Sequence, residues 1–161
     1  MSKTVESGKS AAQTTAVRQQ LVMQLLKGIQ QDIQQYDELQ QILQALQASY
    51  LNFDGEAMQR MMQRQQPLLA VLAQRSTQRT VQLRQLGLPA TPQGIRSLFQ
   101  ALPPALREKM LQQWQRLESV IVACRQLNQH NGQLSASFGE LLAEISQGSQ
   151  RHYARDQLMQ M

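Results

Sequence analysis

Apolar residues recur every three or four positions along most of this chain, and the recurrence divides it into three long segments and one short one. From about Thr14 to Ser49, Val22, Leu26, Ile29, Ile33, Tyr36, Leu39, Leu43, Leu46 and then Tyr50 follow one another at helical spacing, which lays a stripe along one side of a long helix. Leu21, Leu25 and Ile42 widen that stripe, so the spacing predicts a helix that meets more than one neighbour. Gly28 falls inside the pattern and costs roughly 1 kcal/mol of helix propensity relative to alanine; it either permits close packing or is simply tolerated.

Asn52-Phe53-Asp54-Gly55-Glu56 breaks the first segment. Asp54 is a suitable N-cap for a second helix, Glu56 favours its first turn, and Phe53 and Met58 have the spacing of a hydrophobic staple across the cap. So short a connection makes the first two helices antiparallel neighbours. Met58, Met61, Met62, Leu68, Leu69, Leu72, Leu83 and Leu86 carry the second stripe, and Pro67 within it predicts a kink or local break. Gly87 followed by Pro89 supplies the stop. Thr91-Pro92 restarts a short helix whose Ile95, Leu98, Phe99 and Leu102 form an apolar cover.

The last long segment begins near Pro104 and reaches about Ser146, with Met110, Trp114, Leu117, Ile121, Cys124, Leu127, Asn131, Leu134, Phe138, Leu141 and Ile145 at close to coiled-coil spacing. Gly132 and Gly139 lower its helicity, so the part beyond Asn131 is expected to be only conditionally helical. If this segment outruns the cover of its neighbours, Leu134, Phe138, Leu141, Leu142 and Ile145 form an exposed apolar strip against which a partner helix can dock. The fold class implied is all-α: an elongated antiparallel hairpin or bundle of three long helices and one short one. Residues 14–146 form its single domain, between a disordered N-terminus (1–13) and a flexible C-terminal tail (147–161).

Composition agrees with the periodicity. Glutamine is roughly a fifth of the chain, hydrophobic residues make up 42% and aromatic ones only 4%, a balance that suits helices and not sheets. Met1 to Gln13 lacks the apolar core of a signal peptide and no apolar run is long enough to cross a bilayer, so a cytoplasmic protein is expected. The formal charge is +5. Between Glu56 and Glu108 there is no acid, whereas Arg60, Arg64, Arg75, Arg79, Arg84 and Arg96 all fall there. Such a stretch is either a solvated face whose arginines cover apolar surface or a patch for an acidic partner.

No motif for catalysis, metal or cofactor binding is present. His130 and His152 belong to no metal-binding pattern, Glu140 and Glu144 lack histidine support, and no glycine-rich loop follows a strand. Cys124, the single cysteine, lies on the apolar stripe and reads as core, as does Trp114. Met58, Met61 and Met62 fill core space or form an adaptable patch. The expectation is therefore a binding protein with no catalytic residue, metal or cofactor.

The segment Leu127-Asn128-Gln129-His130-Asn131-Gly132-Gln133-Leu134 resembles the Asn-x-x-Asn-Gly-x-Leu signature of the FlgN family of flagellar export chaperones. The leucine- and glutamine-rich first helix and the turn at Asn52–Gly55 agree in outline, over roughly residues 20–150. Ser135, where an apolar residue often completes the signature, and Gly139 depart from the pattern. The resemblance implies a cytoplasmic chaperone that binds hook-associated proteins, keeps them from assembling prematurely and delivers them to the type III export gate or its ATPase complex. It implies a signature role for Asn128, Asn131 and Gly132, substrate binding by the region from Leu134 to Ile145, and handover at the gate by Tyr153. Two other readings stay open: a structural coiled-coil-like adaptor, and a nucleic-acid-binding helical protein using Arg60 to Arg84, which lacks an aromatic stacking platform.

Overall fold

A computed structural model describes the backbone of residues 2–160 and the side chains of residues 13–148 and 155–160. The protein is all-α, with α1 (Ser2–Leu51), α2 (Gly55–Gln85), α3 (Pro92–Gln100) and α4 (Pro104–Met159) in chain order and no strand among the described residues.

Local chemistry sets the joints. Asp54 caps α2, its carboxylate accepting the Ala57 N–H at 3.1 Å. Phe53 adopts a φ of 53°, and its ring is met by Phe138 of α4 with centroids 5.8 Å apart. Helix α2 continues through Pro67 without a break, losing only the bond its nitrogen cannot donate. At its end Gly87, with φ 73°, donates to the Arg84 carbonyl while Leu88 donates to that of Leu83, a Schellman closure. Gly94, in the first turn of α3, is obligatory: an added Cβ would overlap the Pro89 carbonyl oxygen.

Helix α1 is the spine. Asp32 reaches Arg75 and Arg79 while Glu38, further along, reaches Arg64, so α1 and α2 run antiparallel. Helix α4 runs parallel to α1 in a constant register. Tyr36 meets Cys124, Leu43 meets Asn131 and Tyr50 meets Phe138, each pair 88 residues apart and successive pairs one heptad apart.

The core forms three groups along this spine. Leu25, Leu26, Ile29 and Ile33 pack with Met110 and Leu117 beneath Ile95, Leu98 and Phe99 of α3. Leu39, Ile42 and Leu43 pack with Leu68, Leu72 and Cys124. Leu46, Tyr50 and Met58 close the far end, with Leu134 and Phe138 against them. Each buried leucine or isoleucine contributes about 2 kcal/mol.

The composition of 1–13 and 147–161 predicts loose ends, yet helical backbone runs from Ser2 and on to Met159. The described side chains there, 13, 147–148 and 155–160, are exposed.

Candidate functional site

The end of the bundle formed by the α1–α2 turn and the second half of α4 holds the expected strip, and the structure divides it. Leu134 and Phe138 are half-buried against Leu46, Tyr50 and Met58, whereas Leu141, Leu142 and Ile145 are exposed. The register explains the division: α1 stops at Leu51, and a separation of 88 residues places that stop opposite Gly139. Beyond Phe138 the described residues of α4 pack on no other helix. Its remaining 21 residues project roughly 32 Å at 1.5 Å per residue. Phe138 is the last anchored side chain among the described residues, held by Tyr50 with centroids 6.4 Å apart and by Phe53 at 5.8 Å.

Helix α4 is continuous through Gly132 and Gly139, and a Cβ added at either would meet nothing within 4 Å. Of the signature residues, Asn131 alone is buried, at 4% exposure; its Nδ2 donates to the Leu43 carbonyl at 2.9 Å and its Oδ1 has no partner. Asn128 and Gly132 are exposed, Asn128 at the edge of a hollow floored by Leu39 and Leu43. The side chain of Tyr153 lies outside the described residues.

Much of the basic stretch is committed to structure. Asp32, buried on the apolar side of α1, is paired with both Arg75 and Arg79, the latter at 2.9 Å. Arg75 also donates to Gln31 and to the Gly28 carbonyl, so Gly28 lies beneath an α2 guanidinium that a Cβ there would meet at 3.4 Å. Arg64 reaches Glu38 at 3.9 Å in solvent, and Arg60, Arg84 and Arg96 are exposed. Asp32 was detectable in the sequence, since it stands between Ile29 and Ile33 on the stripe, where a carboxylate demands cations.

Cys124 is buried, donating weakly to the Tyr36 carbonyl at 3.6 Å, and burial, with Asp37 adding to it, pushes its thiol up to about 11. Burial likewise raises the Tyr36 phenol above its ordinary value. Trp114 packs edge-on against Phe99 with centroids 6.2 Å apart. Met58 is buried, Met61 partly buried and Met62 exposed, and His130 is at the surface. Among the described residues no group of three or more His, Cys, Asp or Glu could hold a metal ion, and no helix is long and apolar enough to cross a membrane. What this end offers chemically is exposed apolar surface together with exposed carboxylates.

Comparison with known proteins gives a family and a fold. The family model described as FlgN protein matches residues 21–156. The crystal structure of a Pseudomonas aeruginosa protein described as a flagella synthesis protein FlgN superimposes with a TM-score of 0.64 at 24% identity, covering 74% of this chain and 94% of that one. At that identity the likeness speaks for the fold. No curated protein matches the chain.

Proposed function

The chain belongs to the FlgN family, and we propose from that premise that it is a cytoplasmic flagellar export chaperone. It binds hook-associated proteins before they assemble and delivers them to the type III export apparatus. One observation carries this reading: α4 outruns the helix it packs on and leaves Leu141, Leu142 and Ile145 exposed on a continuous helical face. Such a face covers an apolar assembly helix of a substrate without any chemistry, and a complex made by so small a patch releases readily. Leu134 and Phe138 act one step back, fixing the direction in which the free part of α4 leaves the body. Asn131 holds the α1–α4 register that sets where the strip begins. Handover at the export gate belongs, on this reading, to the tail around Tyr153.

The test is isothermal titration of the purified chain with a hook-associated protein, using the wild type and a variant with Leu141, Leu142 and Ile145 changed together to serine. The expected result is micromolar or tighter binding that the variant loses while keeping its helical circular-dichroism signal. A folded wild type that binds no hook-associated protein refutes the substrate assignment.

A further inference from the structure

The charges around the free end of the bundle run against those of the whole chain. The formal charge is +5, yet no lysine or arginine occurs between Lys27 and Arg60, nor between Arg125 and Arg151. Those two stretches supply the end of α1, the α1–α2 turn and the projecting start of the free part of α4. The acids they place at this end are Asp54 and Glu56 at the start of α2 and Glu140 and Glu144, a turn apart on α4, all four exposed. None of the four joins an ion pair among the described residues, whereas Asp32, Asp37 and Glu38 are all paired.

Phe53 adds a second, independent feature. A bulky residue with φ at 53° is in a region that glycine or asparagine occupies far more easily. Its ring touches Phe138, yet 63% of the residue remains exposed. The turn therefore holds an aromatic side chain at the point where α4 loses its partner, and contact with Phe138 covers only part of it. Phe53 thus sits beside Phe138, three residues before Leu141, the first residue of the exposed strip.

We propose that this end of the bundle receives an amphipathic helix whose apolar face is edged with lysine or arginine. Its apolar face lies along Leu141, Leu142 and Ile145, Phe53 forms the wall that stops it, and Glu56, Glu140 and Glu144 select its charge. The proposal rests on the chaperone reading in taking the occupant to be a substrate segment, and it narrows that segment to one chemistry. Carboxylates beside an apolar strip attract basic edges and repel acidic ones, and that selection weakens with salt.

Two designed 18-residue amphipathic peptides with identical leucine faces, one edged with lysine and one with glutamate, test this by fluorescence anisotropy against the full chain. The lysine-edged peptide is expected to bind about tenfold more tightly at low salt, and changing Glu56, Glu140 and Glu144 together to glutamine should bring the gap to within about threefold. Phe53→Gly, which suits the positive φ and so keeps the turn, should weaken the lysine-edged peptide about fivefold. Equal affinity for the two peptides, binding by neither, or indifference to both variants overturns the proposal. Titrating a hook-associated protein alongside separates the two readings. Binding that needs the leucine strip but ignores the glutamine variant and Phe53→Gly keeps the chaperone and sinks this inference. The expected peptide discrimination without binding of any hook-associated protein does the reverse.

Discussion

Asn131 donates its side-chain amide to the carbonyl oxygen of Leu43, 88 residues earlier, from a position where every heptad neighbour on the seam is apolar or aromatic. A polar residue at one position of a helix–helix seam fixes which turns face each other, because any slip buries its amide without a partner. Here that choice has a further consequence. The same register places the end of α1 beside Gly139 and so decides how much of α4 is left uncovered.

Asn131 fixes the register at a cost in stability. Its Oδ1 is buried and unpartnered, and an unsatisfied buried acceptor costs about 1–3 kcal/mol. Asn131→Leu is expected to raise the thermal midpoint by a few degrees, and Asn131→Ala, which leaves a gap, to lower it by a similar amount. A leucine variant less stable than wild type by about 1 kcal/mol or more would contradict this account of the oxygen.

Asp32 is the buried counter-charge of α2. Its side chain is 4% exposed while Arg75 and Arg79 are 18% and 20% exposed. Asp32→Ala leaves two largely buried guanidiniums without their carboxylate and is expected to cost about 3 kcal/mol, seen as a lower urea midpoint. Arg75→Met should cost less, because Arg79 still pairs with the carboxylate. If the two variants lose stability equally, the three charges do not act as one group.

The glycines sort by what surrounds them. Gly94→Ala drives a methyl into the Pro89 carbonyl and should displace α3 from the core, lowering stability by about 2 kcal/mol or more. Gly132→Ala and Gly139→Ala meet nothing and should each add up to about 1 kcal/mol to helix stability. Chemical denaturation of the three single variants checks all of this, and a destabilised Gly132→Ala would contradict the open surroundings of that glycine.

Much of this molecule was legible as periodicity. The stripes from Val22 to Tyr50 and from Met110 to Phe138, the Asp54 cap, the Gly87 stop and the α3 cover are each encoded in a window of a few residues, and all appear. Relations between windows were not legible. Heptad spacing marks a seam but not its partner or offset, so Leu134 and Phe138 were grouped with Leu141 although α1 still reaches them. For the same reason the arginines of α2 read as a solvated face or a patch for an acidic partner, when Arg75 and Arg79 belong to Asp32 on another helix. Gly94 escaped notice because its constraint comes from a backbone carbonyl five residues away, which no side-chain pattern reports.

Cys124 makes stability depend on pH at the alkaline end. Burial raises its folded-state value from the ordinary 9.0 to about 11, so between those values the unfolded chain has released a proton that the folded chain keeps. Stability is then unaffected below pH 9 and falls as pH rises toward 11. Cys124→Ala should flatten that fall, and in the native wild type a thiol reagent at pH 8 should react only at the rate of opening. Rapid labelling of folded protein would show the thiol to be accessible.

The division of the strip predicts two different phenotypes from the same chemistry. Leu134→Ser with Phe138→Ser removes contacts to Leu46, Tyr50 and Met58 and strips both Tyr50 and Phe53 of their aromatic neighbour. Losing two half-buried apolar side chains should cost about 2–4 kcal/mol and loosen α4 where it leaves the body. Leu141→Ser, Leu142→Ser and Ile145→Ser together remove residues that no helix covers, so the unfolding midpoint should stay within about 0.5 kcal/mol of wild type. Denaturation curves of the two variants, read beside their binding, separate anchor from contact surface. If the triple variant unfolds as early as the double one, the free part of α4 folds back on the body in solution, and the strip is not a vacant face.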